Sequence, residues 1–311
     1  MGSAATCGAT TDYLPLRNKV LQMARPSSVR IALVQPHSAW GPREESNVQQ
    51  SVDWLDQCSK AGARLVVFPE GYPGPTSPKN SFDALTVLRR RARELQLFVV
   101  AGNIEAAPGG GHYVCLHLIG EDGNIIGTYR RTTPRGPYVY QDIPMWQFDY
   151  KEASNALRIF DTSIGRIGML VCSEVYAPEL ARTLAVLGAD IILFPAGGGQ
   201  GDLIPTWQTV IAARAIENIV YTGASQNLYE PHERGLAMIA GPEGVLATRS
   251  DSGMLISDLD LDRLEFLRAE DEKIEVPRRY RTVPGLLRWR RPELYARILS
   301  DGPATLIGAK R

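Results

Sequence analysis

The chain has 311 residues, of which 34 are basic and 34 acidic, so its formal net charge at pH 7 is zero. This balance lacks the basic excess that favours nucleic acid or an anionic membrane surface, and we expect neither as a partner. Apolar residues make up 44% of the sequence, enough for a large core, and α/β chains of this length commonly fold as one domain. We predict a leader over residues 1–28 and one domain over residues 29–311, whose tail, about residues 262–311, packs at a subunit interface.

The four cysteines and four histidines are scattered along the chain. They show none of the paired spacings that mark a zinc site or a disulfide framework, so we expect no metal, no cofactor and a reducing, cytoplasmic compartment. No apolar run approaches the roughly 20 residues that span a bilayer. The first residues also lack the charged and then apolar segments of a secretion signal, so we expect no membrane partner.

Short apolar runs alternate with helical patterns along the chain. The predicted strands lie at residues 31–34, 65–68, 98–101, 169–171 and 191–194, and the predicted helices at residues 47–61, 82–95, 177–187 and 206–218. Both sets follow from the spacing of apolar residues. Such alternation favours sheets covered by helices.

Two of the strand ends carry charged side chains. An apolar run stops at Pro69-Glu70-Gly71, which places the Glu70 carboxylate at the C-terminal end of a buried strand, where it is a candidate general base. A turn at Asp122-Gly123 begins a strand that ends in two cations, Arg130 and Arg131. We predict that one of these cations faces the same site as Glu70.

A third strand end carries a cysteine. The apolar run over residues 167–171 stops at Cys172, and a helical pattern begins a few residues later. At the rim of a sheet, free backbone N–H groups and a helix start both favour a thiolate, which would make Cys172 a nucleophile. Free cysteine is also among the most buried residue types, so Cys172 taken alone is equally consistent with packing.

A glutamate, a cation and a cysteine at successive strand ends resemble the nitrilase superfamily of carbon-nitrogen hydrolases. The similar segments run from about Val29 to Leu261 and include residues 29–35, 179–195, 213–218 and 241–244. The resemblance implies a four-layer α-β-β-α sandwich, a homodimer or larger assembly, and a cysteine-dependent hydrolase of an amide, carbamoyl compound or nitrile. In the family's mechanism the glutamate takes the thiol proton, the cysteine attacks, an amine or ammonia leaves, and water hydrolyses the acyl-enzyme. By this resemblance the catalytic residues are Glu70, Arg131 and Cys172.

The chain departs from the family pattern at two points. Arg131 stands where the family has a lysine, and residues 132–142 contain no glutamate where a second one commonly occurs. Arginine stays protonated at any working pH, so Arg131 is expected to act electrostatically, on a thiolate, an oxyanion or a substrate carboxylate. We expect Tyr138 or Tyr140 to fill the space of the missing glutamate, and Tyr138 is also a candidate aromatic wall of the substrate pocket.

Further substrate-binding residues follow from the same resemblance. The backbone N–H of Ser173 and the Arg131 guanidinium are expected to hold the tetrahedral oxyanion. Glu174 either binds the substrate or anchors the turn after the cysteine. Gly197 opens a glycine-rich run that a substrate can approach closely, and Trp207 supplies a second aromatic wall.

Two classes of function are consistent with these residues. The first is hydrolysis of a carboxamide, carbamoyl compound or nitrile, with an amide favoured over a nitrile because Ser173 replaces the tryptophan found in many nitrilases. In the second, the altered lysine and the missing glutamate have removed ordinary hydrolysis, leaving acyl transfer, condensation or a non-catalytic binding role. We predict hydrolysis, with Glu70, Arg131 and Cys172 converging in one pocket.

Overall fold

The described residues form two six-stranded sheets and five α-helices. This computed structural model describes residues 25–108, 110–133, 147–150, 157–198, 201–270 and 280–295. The strands are β1 (Ser28–Gln35), β2 (Leu65–Val67), β3 (Phe98–Ala106), β4 (His112–Ile119), β5 (Ile125–Arg130), β6 (Ile159–Thr162), β7 (Gly165–Met169), β8 (Ile191–Ala196), β9 (Tyr221–Gln226), β10 (Ala237–Gly241), β11 (Gly244–Arg249) and β12 (Gly253–Asp260). The helices are α1 (Ser46–Lys60), α2 (Ala84–Leu95), α3 (Pro178–Leu187), α4 (Ile204–Asn218) and α5 (Leu261–Ala269).

Each sheet has a parallel centre and antiparallel edges. The first sheet runs in the order β12-β1-β2-β3-β4-β5, and the second in the order β11-β10-β9-β8-β7-β6. The parallel strands are β1, β2 and β3 in the first sheet and β7, β8 and β9 in the second. Parallel strands end at the same edge of a sheet, so the residues that follow β7, β8 and β9 are brought close together. The hydrogen bond from Asn227 to the Glu70 carbonyl shows that the residues after β2 lie beside them.

The two sheets pack face to face, with helices on their outer faces. Successive side chains of a strand point to opposite faces, and β1 is buried on both. Ile31 and Leu33 belong to the core between the sheets, whereas Ala32 and Val34 pack in a second core together with Leu55 of α1. The helices α3 and α4 cover the second sheet through residues of the main core. The predicted four-layer α-β-β-α sandwich is confirmed.

The predicted helices and hairpins match the observed elements closely. The second predicted helix begins at Ala84 rather than residue 82, because the Asp83 side chain accepts a hydrogen bond from the Thr86 amide and caps the helix there. The predicted turn at Asp122-Gly123 joins β4 to β5. The glycine turn over residues 241–244 joins β10 to β11.

The strand before Cys172 differs from its prediction over residues 169–171. It spans Gly165–Met169, with β6 and β8 as its neighbours. The glycines of this strand interrupt the run of apolar residues, so the apolar pattern did not predict the strand. Packing requires glycine at position 168, because a Cβ there would lie 2.9 Å from the Leu184 side chain of α3. The chain therefore leaves the sheet three residues before Cys172, which gives the cysteine a turn of its own.

In the part of the chain that the structure describes, no helix combines the length and the apolar composition needed to cross a membrane.

An ionic cluster joins distant parts of the chain around Asp190. The Asp190 side chain is fully buried directly before β8 and accepts hydrogen bonds from Arg25 (3.4 Å), Arg166 (3.3 Å) and Arg268 (2.7 Å), and from the Arg166 amide (3.0 Å). Burial raises the carboxyl pKa, but the Arg166 amide and the charges of Arg166 and Arg268 outweigh burial, so the pKa of Asp190 lies below its ordinary value. The cluster stabilises the ionised carboxylate.

We expect Asp190→Asn to lower the free energy of unfolding by about 3 kcal/mol at pH 7, because it removes the shared partner of three arginines. Asp258→Asn is the matched control, since that exposed carboxylate pairs only with exposed Arg30 in the described residues and should cost at most about 1 kcal/mol. Denaturant unfolding measures both changes.

The same comparison should depend on pH. Because the folded pKa of Asp190 is lowered, its stabilising contribution is complete above the ordinary value of 3.8 and is lost as the pH falls through the lowered pKa. The difference between the native protein and Asp190→Asn should therefore shrink in acid. A difference that stays constant down to the acid transition would contradict this account.

Candidate active site

Cys172 lies in a strained turn at the rim of the second sheet. It begins the 3₁₀ turn Cys172–Tyr176 and has a φ of 51°, a left-handed conformation that costs a residue with a side chain of order 1–3 kcal/mol. The Cys172 side chain is nevertheless 3% exposed and buried in the core. The surrounding structure therefore holds this side chain in an uncommon conformation.

Glu70, Arg131 and Ser173 are joined by short polar contacts beside this turn. The Arg131 Nη1 donates to Glu70 Oε1 at 3.0 Å and its Nη2 donates to Ser173 Oγ at 2.6 Å. Its Nε donates to the Thr133 carbonyl at 2.9 Å. The side chains of Glu70 and Arg131 are 0% and 1% exposed. Their charges compensate each other where water is excluded, and the guanidinium plane is held in one orientation.

The Cys172 thiol lies within the influence of the same groups. Burial, and after it the Glu70 carboxylate, raise its pKa to about 12, although Arg131 and the backbone N–H of Gly197 act in the opposite direction. The thiol is therefore protonated at neutral pH and interacts with Glu70. The structure thus places Glu70, Arg131 and Cys172 close together, and their catalytic roles stay a prediction.

Glu174 uses both carboxylate oxygens to join the cysteine turn to the end of β5. Its Oε1 accepts from the Thr132 amide at 2.8 Å and the Thr133 amide at 3.2 Å. Its Oε2 accepts from the Tyr129 hydroxyl and the Val171 amide, each at 2.8 Å. This buried carboxylate is saturated by protein donors, so of the two alternatives for Glu174 the geometry favours the anchor over substrate binding.

Gly197 lies directly after β8 and contacts the cysteine. Its backbone N–H hydrogen-bonds to the Cys172 thiol, and its carbonyl accepts from the Tyr229 hydroxyl at 2.5 Å. Asn227 donates from its amide nitrogen to the Glu70 carbonyl at 2.9 Å. Neither Asn227 nor Tyr229 was predicted from the sequence. Their position just after β9 was an available signal, because β9 is parallel to β8 and ends at the same edge.

The aromatic residues predicted to line the substrate pocket differ in where the structure places them. Trp207 is 1% exposed in α4, where it packs edge-on against Tyr176 at 5.8 Å between ring centroids. It belongs to the main core next to the cysteine turn. Tyr138 and Tyr140 lie outside the described residues. Tyr150, which the sequence did not identify, lies near the site, since the charges of Arg131 and Glu70 act on its pKa after burial has raised it.

One group of side chains has the chemistry of a metal site. The ligand atoms of Glu105, Cys115 and His117 lie within 4.8 Å of one another on the first sheet. The two ring nitrogens of His117 already hydrogen-bond to Asn103 (2.8 Å) and Thr128 (2.9 Å). The group also borders the guanidinium of Arg130, and Cys115 packs in a different apolar cluster from Cys172. It is therefore best described as a polar cluster of the sheet.

Comparison with known sequences identifies the family. A family model described as carbon-nitrogen hydrolase matches residues 30–269, more than two thirds of the chain. The chain belongs to the carbon-nitrogen hydrolase family. The sequence-based prediction of a carbon-nitrogen hydrolase is confirmed.

Relatives of this carbon-nitrogen hydrolase span nearly its whole length. It is 27% identical to N-carbamoylputrescine amidase of Arabidopsis thaliana over 292 residues, which cover 83% of this chain and 91% of the relative. It is 26% identical to citrullinase of Francisella tularensis subsp. tularensis over 292 residues, covering 88% and 99%. Among solved structures, the carbon-nitrogen hydrolase from Helicobacter pylori G27 superposes with a TM-score of 0.73 at 20% identity, covering 88% of this chain and 99% of that one. This last likeness supports the fold.

The anchoring geometry of Glu174 predicts the effect of Glu174→Gln. A glutamine presents an NH₂ group to a site that holds only donors, so at least one buried N–H or O–H loses its acceptor, at a cost of about 1–3 kcal/mol. We expect thermal unfolding to shift down and kcat to fall, because the cysteine turn and the Arg131 segment lose their link. Exposed Glu179 supplies the matched control, Glu179→Gln. A substrate-binding role alone would instead raise KM and leave the unfolding temperature unchanged.

Proposed function

We propose that this carbon-nitrogen hydrolase uses Cys172 to hydrolyse a small carboxamide or carbamoyl compound. The observation that carries the proposal is the Arg131 guanidinium, which contacts both Glu70 and Ser173 beside the Cys172 thiol. The names of the two relatives, an amidase of a carbamoyl-amine and a citrullinase, support a carbamoyl or carboxamide group as the reacting group.

In the first step Glu70 acts as general base. Because the Cys172 pKa is about 12, a free thiolate is scarce at pH 7, and the thiol must lose its proton as sulfur attacks the carbonyl carbon. The Glu70 carboxylate interacts with the thiol and accepts that proton. The new bond is S–C, and the carbonyl oxygen takes the electron pair of the C=O π bond.

The resulting oxyanion needs donors fixed before the reaction. The proposed donors are the backbone N–H of Ser173, next to the nucleophile, and the Arg131 guanidinium. Glu70, Ser173 Oγ and the Thr133 carbonyl hold that guanidinium in place. A planar cation with several N–H groups can keep these contacts and still face an oxyanion, which an ammonium group could do less well.

In the remaining steps the protonated Glu70 gives its proton to the leaving nitrogen, and ammonia or an amine departs. A thioester on Cys172 remains. Glu70, again a carboxylate, takes a proton from a water molecule while the oxygen of that water attacks the thioester carbon. The C–S bond then breaks, and the Cys172 sulfur recovers the proton from Glu70. The net reaction consumes one water and requires no cofactor in this scheme.

We also propose that two copies of the chain associate in the cytoplasm. Several apolar side chains on α3, α4 and the C-terminal segment are 39% exposed or more: Val186, Leu187, Ile216, Trp289, Leu294 and Tyr295. Burying them against a second copy would remove apolar area from water. The described cysteines Cys58, Cys115 and Cys172 are free thiols, which is consistent with a reducing compartment.

Ammonia release from a panel of carboxamides, carbamoyl compounds and nitriles tests the reaction. We expect at least one carboxamide or carbamoyl compound to release ammonia, and Cys172→Ala to abolish release because no nucleophile remains. Cys58→Ala is the control, since Cys58 is a buried thiol of α1 on the outer face of the first sheet.

Two results would contradict the proposal. Release that persists in Cys172→Ala would assign the nucleophile to another group. Cys172-dependent hydroxamate formation with added hydroxylamine, without any hydrolysis in water, would favour acyl transfer.

The role of Arg131 predicts that the family lysine does not improve this site. Arg131→Lys keeps the charge but cannot contact Glu70, Ser173 Oγ and the Thr133 carbonyl together, so we expect kcat/KM to fall about 100-fold. Arg130→Lys is the matched control, because Arg130 lies over the Tyr113 ring and should tolerate the change within a few-fold. A higher kcat/KM for Arg131→Lys than for the native enzyme would contradict this role of Arg131, because the family lysine would then suit the site better than the arginine.

A further inference from the structure

A cavity of about 200 Å³ lies at the end of the second sheet that faces away from Cys172. Arginines from three separate elements line it: Arg166 of β7, Arg268 of α5 and Arg288 of the turn over residues 286–289. Arg166 is near the start of β7 and Cys172 lies beyond the end of that strand. At about 3.3 Å per residue the two are separated by roughly 20 Å, so the cavity is distinct from the candidate active site.

Positive charge exceeds negative charge among the described residues at this cavity. Among the residues that the structure describes, Arg25, Arg166 and Arg268 share one carboxylate, that of Asp190, so these three cations carry two more positive charges than Asp190 balances. None of the described residues that line the cavity is acidic. Burial, together with the charges of Arg166 and Arg25, lowers the pKa of Arg268 despite the opposing effect of Asp190. Partly buried excess charge of one sign is unfavourable unless a counter-ion binds.

The backbone leaves space for the guanidinium groups. Gly188 ends α3 with a φ of 103°, and a Cβ there would lie 2.6 Å from Arg166 Nη1. Gly285 has a φ of 66°, and a Cβ there would collide with Arg288 Nη2. Both glycines therefore let an arginine lie directly against the main chain at the wall of the cavity. Arg268 is fixed as well, since its Nε donates to the Ile219 carbonyl at 2.9 Å.

We propose that this cavity binds a phosphate-type oxyanion, either free phosphate or the phosphate group of a small ester. Guanidinium groups recognise phosphate oxygens with paired N–H donors. A dianion would offset the two positive charges that Asp190 leaves unbalanced among Arg25, Arg166 and Arg268. The volume is below the roughly 300 Å³ of pockets that hold drug-sized ligands, so the ligand is small. Ala185, Ile219 and Leu287 form apolar walls that suit at most a short carbon chain.

Binding at this place would add a connection between elements that are far apart in the sequence. An anion between Arg166, Arg268 and Arg288 would join β7 of the second sheet to α5 and to the C-terminal segment. A ligand that binds only the folded chain stabilises it by mass action. This inference rests on the arginine cavity alone and does not depend on the proposed hydrolysis.

Equilibrium dialysis of the full chain against radiolabelled inorganic phosphate tests the site, at constant ionic strength in chloride buffer. We expect one phosphate per chain, with Arg166→Gln and Arg288→Gln each weakening binding at least tenfold. Arg288→Gln leaves the contacts of Asp190 intact, so it remains informative if Arg166→Gln folds poorly. Arg64→Gln is the matched control, because exposed Arg64 pairs with Glu121 on the first sheet and should leave binding unchanged.

Competing anions distinguish the sources of the phosphate group. Glycerol phosphate that displaces the label as well as phosphate does would indicate an ester ligand, and weaker displacement would indicate free phosphate; either result supports the site. Acetate, with one charge, should displace the label at least tenfold less well. The proposal is overturned if phosphate does not bind saturably at millimolar concentration, if acetate competes equally, or if both Arg166→Gln and Arg288→Gln retain native affinity.

Discussion

The ion pair between Arg131 and Glu70 constrains the candidate active site. It joins residues that follow β5 and β2, and the same guanidinium reaches Ser173 in the turn after β7. Removing either charge would leave the other buried without its counter-charge, which is strongly unfavourable. The positions of the proposed base, the oxyanion donor and the nucleophile are therefore coupled through one side chain. The arginine in the place of the family lysine is part of this framework.

The Glu174 carboxylate helps to position the Arg131–Glu70 ion pair. Glu174 binds the segment that carries Arg131 on one side and the amide that precedes Cys172 on the other. It thereby fixes the distance between the cation and the nucleophile, and helps to hold the left-handed backbone of Cys172. Precise placement of such groups matters because small displacements of catalytic groups cost large factors in rate. The two glutamates thus have different tasks, one toward the thiol and one toward the backbone.

Some residues of the site could be predicted from local pattern, and others could not. Glu70 and Cys172 stand where apolar strand segments stop, and Arg131 closes a strand that starts from a recognisable turn. Tyr150 follows no such pattern, and Asn227 and Tyr229 were marked only by their position just after β9. Tyr229 matters because its hydroxyl reaches the Gly197 carbonyl, a contact between loops that follow different strands. The sequence also could not decide the place of Trp207. An aromatic residue near the site could have lined a pocket, whereas the structure buries Trp207 in the core.

The sequence by itself determined the alternation of strands and helices, the layered fold and the family, because these depend on the periodicity of apolar residues and on motifs of a few residues. Only the tertiary structure decided that Arg131 bridges Glu70 to the cysteine turn, that both oxygens of Glu174 are occupied, and that three arginines meet around a cavity beside Asp190. Apart from the hydrogen bond of Glu174 to the Val171 amide three positions away, those hydrogen bonds join residues 24 to 165 positions apart. Hydrogen bonds act over about 3 Å, so they exist only after the sheets have packed and brought the strand ends together.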